Sequence, residues 1–270
     1  MAEQARASNV EGMEKTIYRY GTIGKVVGVI SGKGGVGKSA VTAMLAASMA
    51  HQGKKVGILD ADITGPSIPH MFGLNQKAHS LDHIILPVES VEKIKIMSIN
   101  LILENEADPV IWRGPLLGGV VKQFFGDVAW DDLDYLFVDL PPGTGDVPLT
   151  VMQSLPLDGV VVVTTPQDLV GMIVKKAIHM AEKLGVPVLG LIGNMSYIEC
   201  PDCNKRIHLF GGNGLQAMAE ETGIPLLASL PMMPDLAVLA DEGKIELVDH
   251  LYPDFFMPVA KRLQDILEKE

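Results

Sequence analysis

The glycine-rich octapeptide Gly32-Lys33-Gly34-Gly35-Val36-Gly37-Lys38-Ser39 limits the folds open to this chain more than any other stretch. The run Lys25-Val26-Val27-Gly28-Val29-Ile30 before it is apolar and β-branched, as a buried parallel strand requires. From Ser39 to Gln52 the apolar residues recur with helical spacing, and Gly53 falls where a helix-ending glycine belongs. Between strand and helix, glycines let the backbone curl until its N–H groups converge on phosphate oxygens. The helix N-terminus adds partial positive charge. Strand, loop and helix in that order are the setting in which such a loop works, so residues Gly32 to Ser39 are assigned to nucleotide binding. Lys38 is placed to reach the β- and γ-phosphates and the Ser39 hydroxyl to bind Mg²⁺.

Downstream, β-branched runs alternate with helical stretches, the signature of an α/β fold whose mostly parallel sheet is covered by helices on both faces. Strands are expected at Val56–Leu59, Ile94–Ile99, Tyr135–Val138, Val160–Thr164, Val188–Ile192 and Leu226–Ser229. Helices are expected at Leu116–Phe125, Asp168–Leu184, Gly214–Glu221, Asp235–Glu242 and Pro258–Lys269. Asp168 is placed to cap its helix and Gly185 to close it. Pro66 and Pro69 leave room for at most one helical turn after Asp62. No linker composition divides the chain. A single domain over residues 21–270, carrying the cysteines, is expected behind an arm of residues 1–20.

Composition narrows the partners. A formal net charge of −11 argues against a general nucleic-acid or acidic-membrane surface. No apolar run approaches the ~18 residues of a membrane span. The N-terminal residues are polar and mixed in charge, without the apolar core of a signal peptide. Two cysteines and no export signal make a reducing cytoplasm the expected setting.

A phosphate loop that does chemistry needs carboxylates at strand ends, to hold magnesium and orient water. Two follow the second strand, in Ile58-Leu59-Asp60-Ala61-Asp62, and a third ends Tyr135-Leu136-Phe137-Val138-Asp139. Asp139 should contact Mg²⁺ directly or through water. The next stretch, Leu140-Pro141-Pro142-Gly143-Thr144-Gly145-Asp146, is rigid at its prolines and permissive at its glycines, which suits a loop positioned by the γ-phosphate.

Lys33 is superfluous for holding the phosphates of its own chain, since Lys38 does that. Its use is electrostatic, where charge develops on a transferring phosphoryl group. With this second lysine, the octapeptide resembles the deviant phosphate loop of the MinD/ParA/nitrogenase-iron-protein class of ATPases. That resemblance implies that Lys33 crosses a dimer interface to the partner's nucleotide, and hence ATP-dependent homodimerisation. It further implies that Asp62 orients the attacking water, that Asp60 supports the magnesium shell, and that Asn194, after Gly190-Leu191-Ile192-Gly193, reads adenine. Leu230-Pro231-Met232-Met233-Pro234 falls where the class packs a second adenine-contacting loop.

Cys200-Pro201-Asp202-Cys203 holds the only cysteines of the chain. Both sulfurs can face one metal, yet tetrahedral zinc and iron–sulfur cubanes usually take four ligands. Three readings stand. A redox dithiol would normally open a helix, whereas this pair follows a strand within a long loop. A structural half-turn with unreactive thiols is the second. The third is half of a cluster site, completed by the same pair from a second subunit through two-fold symmetry.

The phosphate loop, Asp60-Ala61-Asp62-Ile63-Thr64-Gly65-Pro66-Ser67-Ile68-Pro69, Trp112-Arg113-Gly114-Pro115, the Asp139–Asp146 stretch and the cysteine pair together resemble the Mrp-type (ApbC-like) iron–sulfur cluster carrier ATPases. The likeness runs from roughly Gly24 to Asp254. It implies a slow, Mg²⁺-dependent ATP hydrolase, active as a homodimer. It also implies a labile [4Fe–4S] cluster bridging the Cys200 and Cys203 pairs of two subunits and passed to apo iron–sulfur proteins. Ligand count alone would serve [2Fe–2S] equally. Longer members carry an extra N-terminal domain where this chain has the arm.

The alternative is a MinD/ParA-like positioning switch without a cluster. A membrane version needs a basic amphipathic C-terminal helix. Here the tail spaces Val259, Leu263, Ile266 and Leu267 on one face but mixes Lys261, Arg262 and Lys269 with Asp265, Glu268 and Glu270, and reads as a helix docked on the domain. A DNA-binding version would want a basic stripe. Neither nucleic acid nor membrane is therefore expected as a partner. A regulatory subunit that binds nucleotide without cleaving it is a third class. The seven histidines show no paired metal spacing, and Trp112-Arg113 is either a partner anchor or a packed loop.

Overall fold

The computed structural model describes residues 20–103, 114–166, 172–208 and 214–269. The Asp168 cap, Trp112-Arg113 and the N-terminal arm up to residue 19 lie outside them. Among the described residues the strands are β1 (Ile23–Ser31), β2 (Val56–Asp60), β3 (His79–Leu81), β4 (Ile84–Leu86), β5 (Val88–Glu89), β6 (Lys95–Met97), β7 (Leu133–Asp139), β8 (Gly159–Thr164), β9 (Val188–Glu199), β10 (Arg206–Ile207) and β11 (Leu226–Pro231). The helices are α1 (Lys38–His51), α2 (Ile68–Met71), α3 (Gly114–Gly126), α4 (Asp146–Ser154), α5 (Met172–Lys183), α6 (Gly214–Thr222), α7 (Pro234–Asp241), α8 (Val248–Leu251) and α9 (Met257–Leu267).

The sheet order is β10-β9-β8-β1-β7-β2-β6-β5, with β11 also beside β9. From β6 through β2, β7, β1, β8 and β9 to β11 every pairing is parallel, and β5 and β10 add antiparallel edges. Alternation along each strand feeds two cores. On β1, Val26 and Ile30 join the face packed by Leu117 and Phe124 of α3, Val151 of α4 and Ala177 of α5. Val27 and Val29 join the other, with Val41 and Leu45 of α1, Val248 of α8 and Leu263 of α9. The docked tail is therefore observed: Val259, Ala260, Leu263 and Leu267 are buried on α9. None of the described helices is long and apolar enough to cross a membrane.

β7 lies between β1 and β2, although β2 follows β1 in the chain. The crevice beyond the carboxyl ends of such strands is where open parallel sheets bind ligands. Here Asp60 pairs with Asp139, and Asp139 with Val29 of β1, so the two carboxylates and the start of the phosphate loop meet at one level.

Where the structure departs from the periodicity, local backbone chemistry explains it. Strand Ile94–Ile99 shortens to Lys95–Met97 because Ile99–Leu101 tightens into a 3-10 turn. The β3–β4 hairpin turns at Asp82 and His83, both at positive φ without a glycine to mark the turn, and was not expected. The strand expected to stop at Ile192 continues to Glu199 past a kink where Met195 takes φ 51°. Beyond Gly53, α1 closes through Gly53 N–H to Ala50 and Lys54 N–H to Met49, the glycine-ended motif its sequence promised.

Candidate functional site

The phosphate loop is shaped by its glycines and braced by its neighbours. Gly35 and Gly37 both sit at φ 79°, a left-handed conformation that side chains resist. A Cβ on Gly37 would also lie 2.2 Å from Asn194 Nδ2. Ser31 Oγ donates to the Lys33 carbonyl (2.9 Å), and Gly143 N–H donates to the Ser31 carbonyl (2.9 Å), tying the Pro141–Asp146 loop to the phosphate loop. A cavity of about 270 Å³ opens here, lined by the loop from Lys33 to Ala40 with Asp62, Gly65, Ser67 and Pro142.

Lys38 is only 6% exposed and points its ammonium at the carboxylates. Its Nζ lies 2.7 Å from Asp139 Oδ1 and 3.9 Å from Asp62 Oδ2. Asp139 also accepts hydrogen bonds from Ser39 Oγ (2.6 Å) and Thr42 Oγ1 (2.8 Å). Thr42 is a site residue that sequence reading missed. Its one signal is position, one helical turn beyond Ser39 on the same face of α1.

Asp60, fully buried, accepts from Asp62 N–H (3.2 Å) and Ser98 Oγ (3.1 Å). Burial, reinforced by the neighbouring Asp139 charge and only partly offset by Lys38, pushes its carboxyl up to about 8. Asp60 thus favours its protonated form near neutral pH, with the Lys38 ammonium set beside the carboxyls of Asp139 and Asp62. Asp62 is also raised, mainly by burial and against the pull of Lys38, and its Oδ1 accepts from Thr64 Oγ1 (3.1 Å). A hard divalent cation suits this donor set, because Ser39 and Asp139 offer oxygen ligands amid an excess of negative charge. All the residues assigned to phosphate and magnesium chemistry, from Gly32 to Ser39 with Asp60, Asp62 and Asp139, are brought to one crevice.

Asn194 reaches that crevice from β9. Its Nδ2 donates to the Val36 carbonyl (3.0 Å) and its Oδ1 accepts from Met195 N–H (3.0 Å), leaving one N–H and one lone pair for a ligand. Met232 and Met233 line a different cavity of about 700 Å³ beside β11, together with Tyr197, Arg206 and Arg262.

β9 ends at Glu199, and Cys200, six residues beyond Asn194, opens the turn that follows. That turn returns the chain as β10, antiparallel to Ile198–Glu199. Asn204 N–H donates to the Cys200 carbonyl (2.9 Å) and Cys200 N–H to the Lys205 carbonyl (3.0 Å), with Asn204 at φ 55°. Inside this tight turn the nearby backbone N–H groups of Asp202 and Cys203, with the Cys203 thiol, favour the Cys200 thiolate and hold its pKa below the ordinary thiol range. Both thiols are free, and every residue from Pro201 to His208 is exposed. Arg206 braces the hairpin, its guanidinium 4.6 Å above the Tyr197 ring and its Nε 3.3 Å from Glu199. His208 packs on Tyr197 as well. The result is a thiolate-ready knuckle at the sheet edge, with no helix opening from it.

Fold and site together define a phosphate-loop NTPase of the MinD/ParA type, with a cysteine hairpin added to one sheet edge. MinD from Pyrococcus furiosus shares the fold at a TM-score of 0.64 and 20% identity, over 90% of this chain and 99% of that one. The family described as NUBPL iron-transfer P-loop NTPase matches residues 22–269, and this chain belongs to it. An iron–sulfur cluster carrier protein of Clostridium perfringens is 50% identical over 235 residues, 84% of this chain and 82% of that one. A cytosolic Fe–S cluster assembly factor NUBP2 homolog of Trichoplax adhaerens is 43% identical, over 87% of this chain and 89% of its own. A nucleotide-binding protein from Archaeoglobus fulgidus, solved with ADP and cobalt, superimposes with a TM-score of 0.75 at 48% identity over 83% of this chain and 88% of that one.

Proposed function

We propose that this chain hydrolyses ATP with Mg²⁺ as a homodimer and carries a [4Fe–4S] cluster between two subunits, delivering it to apo iron–sulfur proteins in the cytoplasm. The observation that carries the proposal is the knuckle. It presents two sulfurs, one of them already lowered in pKa, on an exposed hairpin that continues the strand touching the phosphate loop. Two thiolates are half a cluster's ligands, and two-fold symmetry supplies the other half. The names of the relatives at 43–50% identity support the same cargo.

ATP enters with its phosphates in the curl of Gly32–Ser39 and Lys38 turned from Asp139 onto the β- and γ-phosphates. Asn194 uses its remaining N–H and lone pair on the base. Mg²⁺ held by Ser39 and Asp139 supplies charge neutralisation to the phosphate oxygens. Asp62 accepts a hydrogen bond from a water whose oxygen bonds to the γ-phosphorus as the bond to the ADP oxygen breaks. Burial raises its basicity for that task. Lys33 of one subunit stabilises the charge developing on the other subunit's γ-phosphoryl group. The change at Gly32–Ser39 reaches the cysteines along β9, because Asn194 is bonded to Val36 and Cys200 directly follows the same strand.

The test is iron and acid-labile sulfide after anaerobic reconstitution. About two iron atoms per chain, one cubane per dimer, are expected for the wild type. Cys200→Ala should bind none while keeping ATP affinity. Equal iron in the two proteins, or a full cluster on a monomer, would refute the shared site. For Asp62→Asn, ATP should still bind but not be cleaved, and gel filtration with ATP should show a trapped dimer. Normal turnover in that variant would move the water-orienting role to another carboxylate.

A further inference from the structure

The structure assigns a second metal site, remote from both nucleotide and cysteines: His51, Glu92 and His250 form a binding site for one divalent transition ion of the zinc class, backed by the buried carboxylate of Asp249. Three segments far apart in sequence converge here. His51 is the last residue of α1, Glu92 sits in the turn between β5 and β6, and His250 belongs to α8. One ligand atom from each side chain lies within 4.8 Å of the others. His250 Nε2 is 2.7 Å from Glu92 Oε1, and the His51 ring meets the His250 ring edge-on with centroids 4.6 Å apart. The turn that presents Glu92 is fixed from below. Buried Glu246 accepts both the Ser90 hydroxyl and the Glu92 N–H.

Asp249 is the independent observation. It is 2% exposed, and neither carboxylate oxygen makes a hydrogen bond of ordinary geometry, nor does the buried hydroxyl of Ser48 close by. The Ser48 hydroxyl stands near enough to ease the carboxyl, yet burial outweighs it, and a cation or a ring N–H would complete the compensation. Asp249 interacts electrostatically with His51, His250 and Glu92, the three groups of the cluster. Two neutral imidazoles, Glu92 and Asp249 sum to a charge of minus two, which one divalent ion balances. Metal-binding imidazoles are typically oriented by such a carboxylate behind them. Two nitrogens with one carboxylate oxygen favour zinc, cobalt or nickel over magnesium or calcium, which take oxygen ligands.

Zinc bonds of about 2.0–2.1 Å in a tetrahedron set ligand atoms about 3.3 Å apart, so His250 and Glu92, now 2.7 Å apart, would open slightly to admit the ion between them. His51 and His250 are exposed and free to turn inward. The fourteen residues of α1 put His51 about 20 Å from the phosphate loop, so this ion would not join the chemistry there. It would staple the end of α1 to the β5–β6 turn and the C-terminal segment, stabilising the fold by mass action.

The measurement uses untagged, chelator-treated Cys200→Ser/Cys203→Ser protein in excess Mg²⁺, which removes the thiolates and saturates the oxygen site. Titration with Zn²⁺ or Co²⁺ by calorimetry should show one ion per chain. His51→Ala and His250→Ala, both surface changes, should abolish it. Asp249→Asn should weaken binding about 10–100-fold without removing it, as loss of an orienting carboxylate does. Absence of stoichiometric Zn²⁺ binding, or equal affinity in the histidine variants, would overturn the assignment and leave a His250–Glu92 ion pair.

Discussion

Lys33→Ala should leave ATP affinity close to wild type and lower turnover by about 10³–10⁵-fold, the worth of a cation supplied across an interface to a phosphoryl transfer. The loop should survive the change. Its turn is held by the Lys33 backbone, whose carbonyl accepts Ser31 Oγ, and by the left-handed Gly35 and Gly37. In the proposed mechanism, phosphate binding within the chain falls to Lys38 and the loop N–H groups, which the substitution leaves alone. Nucleotide affinity measured with a fluorescent analogue, beside steady-state phosphate release, separates the two effects. Unchanged turnover would make Lys33 an ordinary loop residue. A parallel loss of binding would place it in its own subunit's phosphate site.

Lys38→Ala should be more destructive, because it removes two things. The first is the side-chain cation for the β- and γ-phosphates, so ATP binding should be lost at the concentrations that saturate wild type. The second is the ammonium packed against Asp139 and near Asp62, with Asp60 buried behind them. Stripping the partner from a buried charge costs about 3–5 kcal/mol. The destabilisation has a pH signature. Asp60 is raised to about 8 with Lys38 in place, and removing this cation, which holds it down, pushes it higher still, so the variant keeps a proton on Asp60 at alkaline pH that wild type has lost. Thermal melts should therefore show the deficit against wild type widening above pH 8, where wild-type Asp60 ionises beside Lys38, and narrowing as pH falls toward 8. A melting temperature equal to wild type at pH 9 would contradict the packing described here. Retained ATP affinity would sink the phosphate-loop assignment itself.

Sequence alone determined the parts whose physics is local. A phosphate loop announces itself because its glycines, its lysine and the strand and helix around it are contiguous. The parallel sheet is legible because strands buried on both faces must be apolar without interruption, as Val160–Val163 are. The family followed from the same contiguous motifs, and the relatives at 43–50% identity agree with it. Boundaries were less legible wherever a turn lacked its usual residue, as at Asp82-His83, or a strand ran through a kink, as β9 does at Met195.

Only tertiary structure could decide contacts between segments that carry no local signature. Thr42 joins Asp139 through the packing of α1 against β7. Asn194 spends half of its amide on Val36 because β9 passes the phosphate loop, a geometry invisible in a single asparagine after a strand. The knuckle around Cys200 depends on a turn closed by Asn204 N–H on the Cys200 carbonyl and Cys200 N–H on the Lys205 carbonyl, which spacing permits but does not require. His51 and His250 have no pairing in the sequence, yet folding places their rings 4.6 Å apart. The physical reason is common to all four. Periodicity and propensity act over a few residues, whereas a site is assembled from side chains that meet only after two faces of one sheet have been covered.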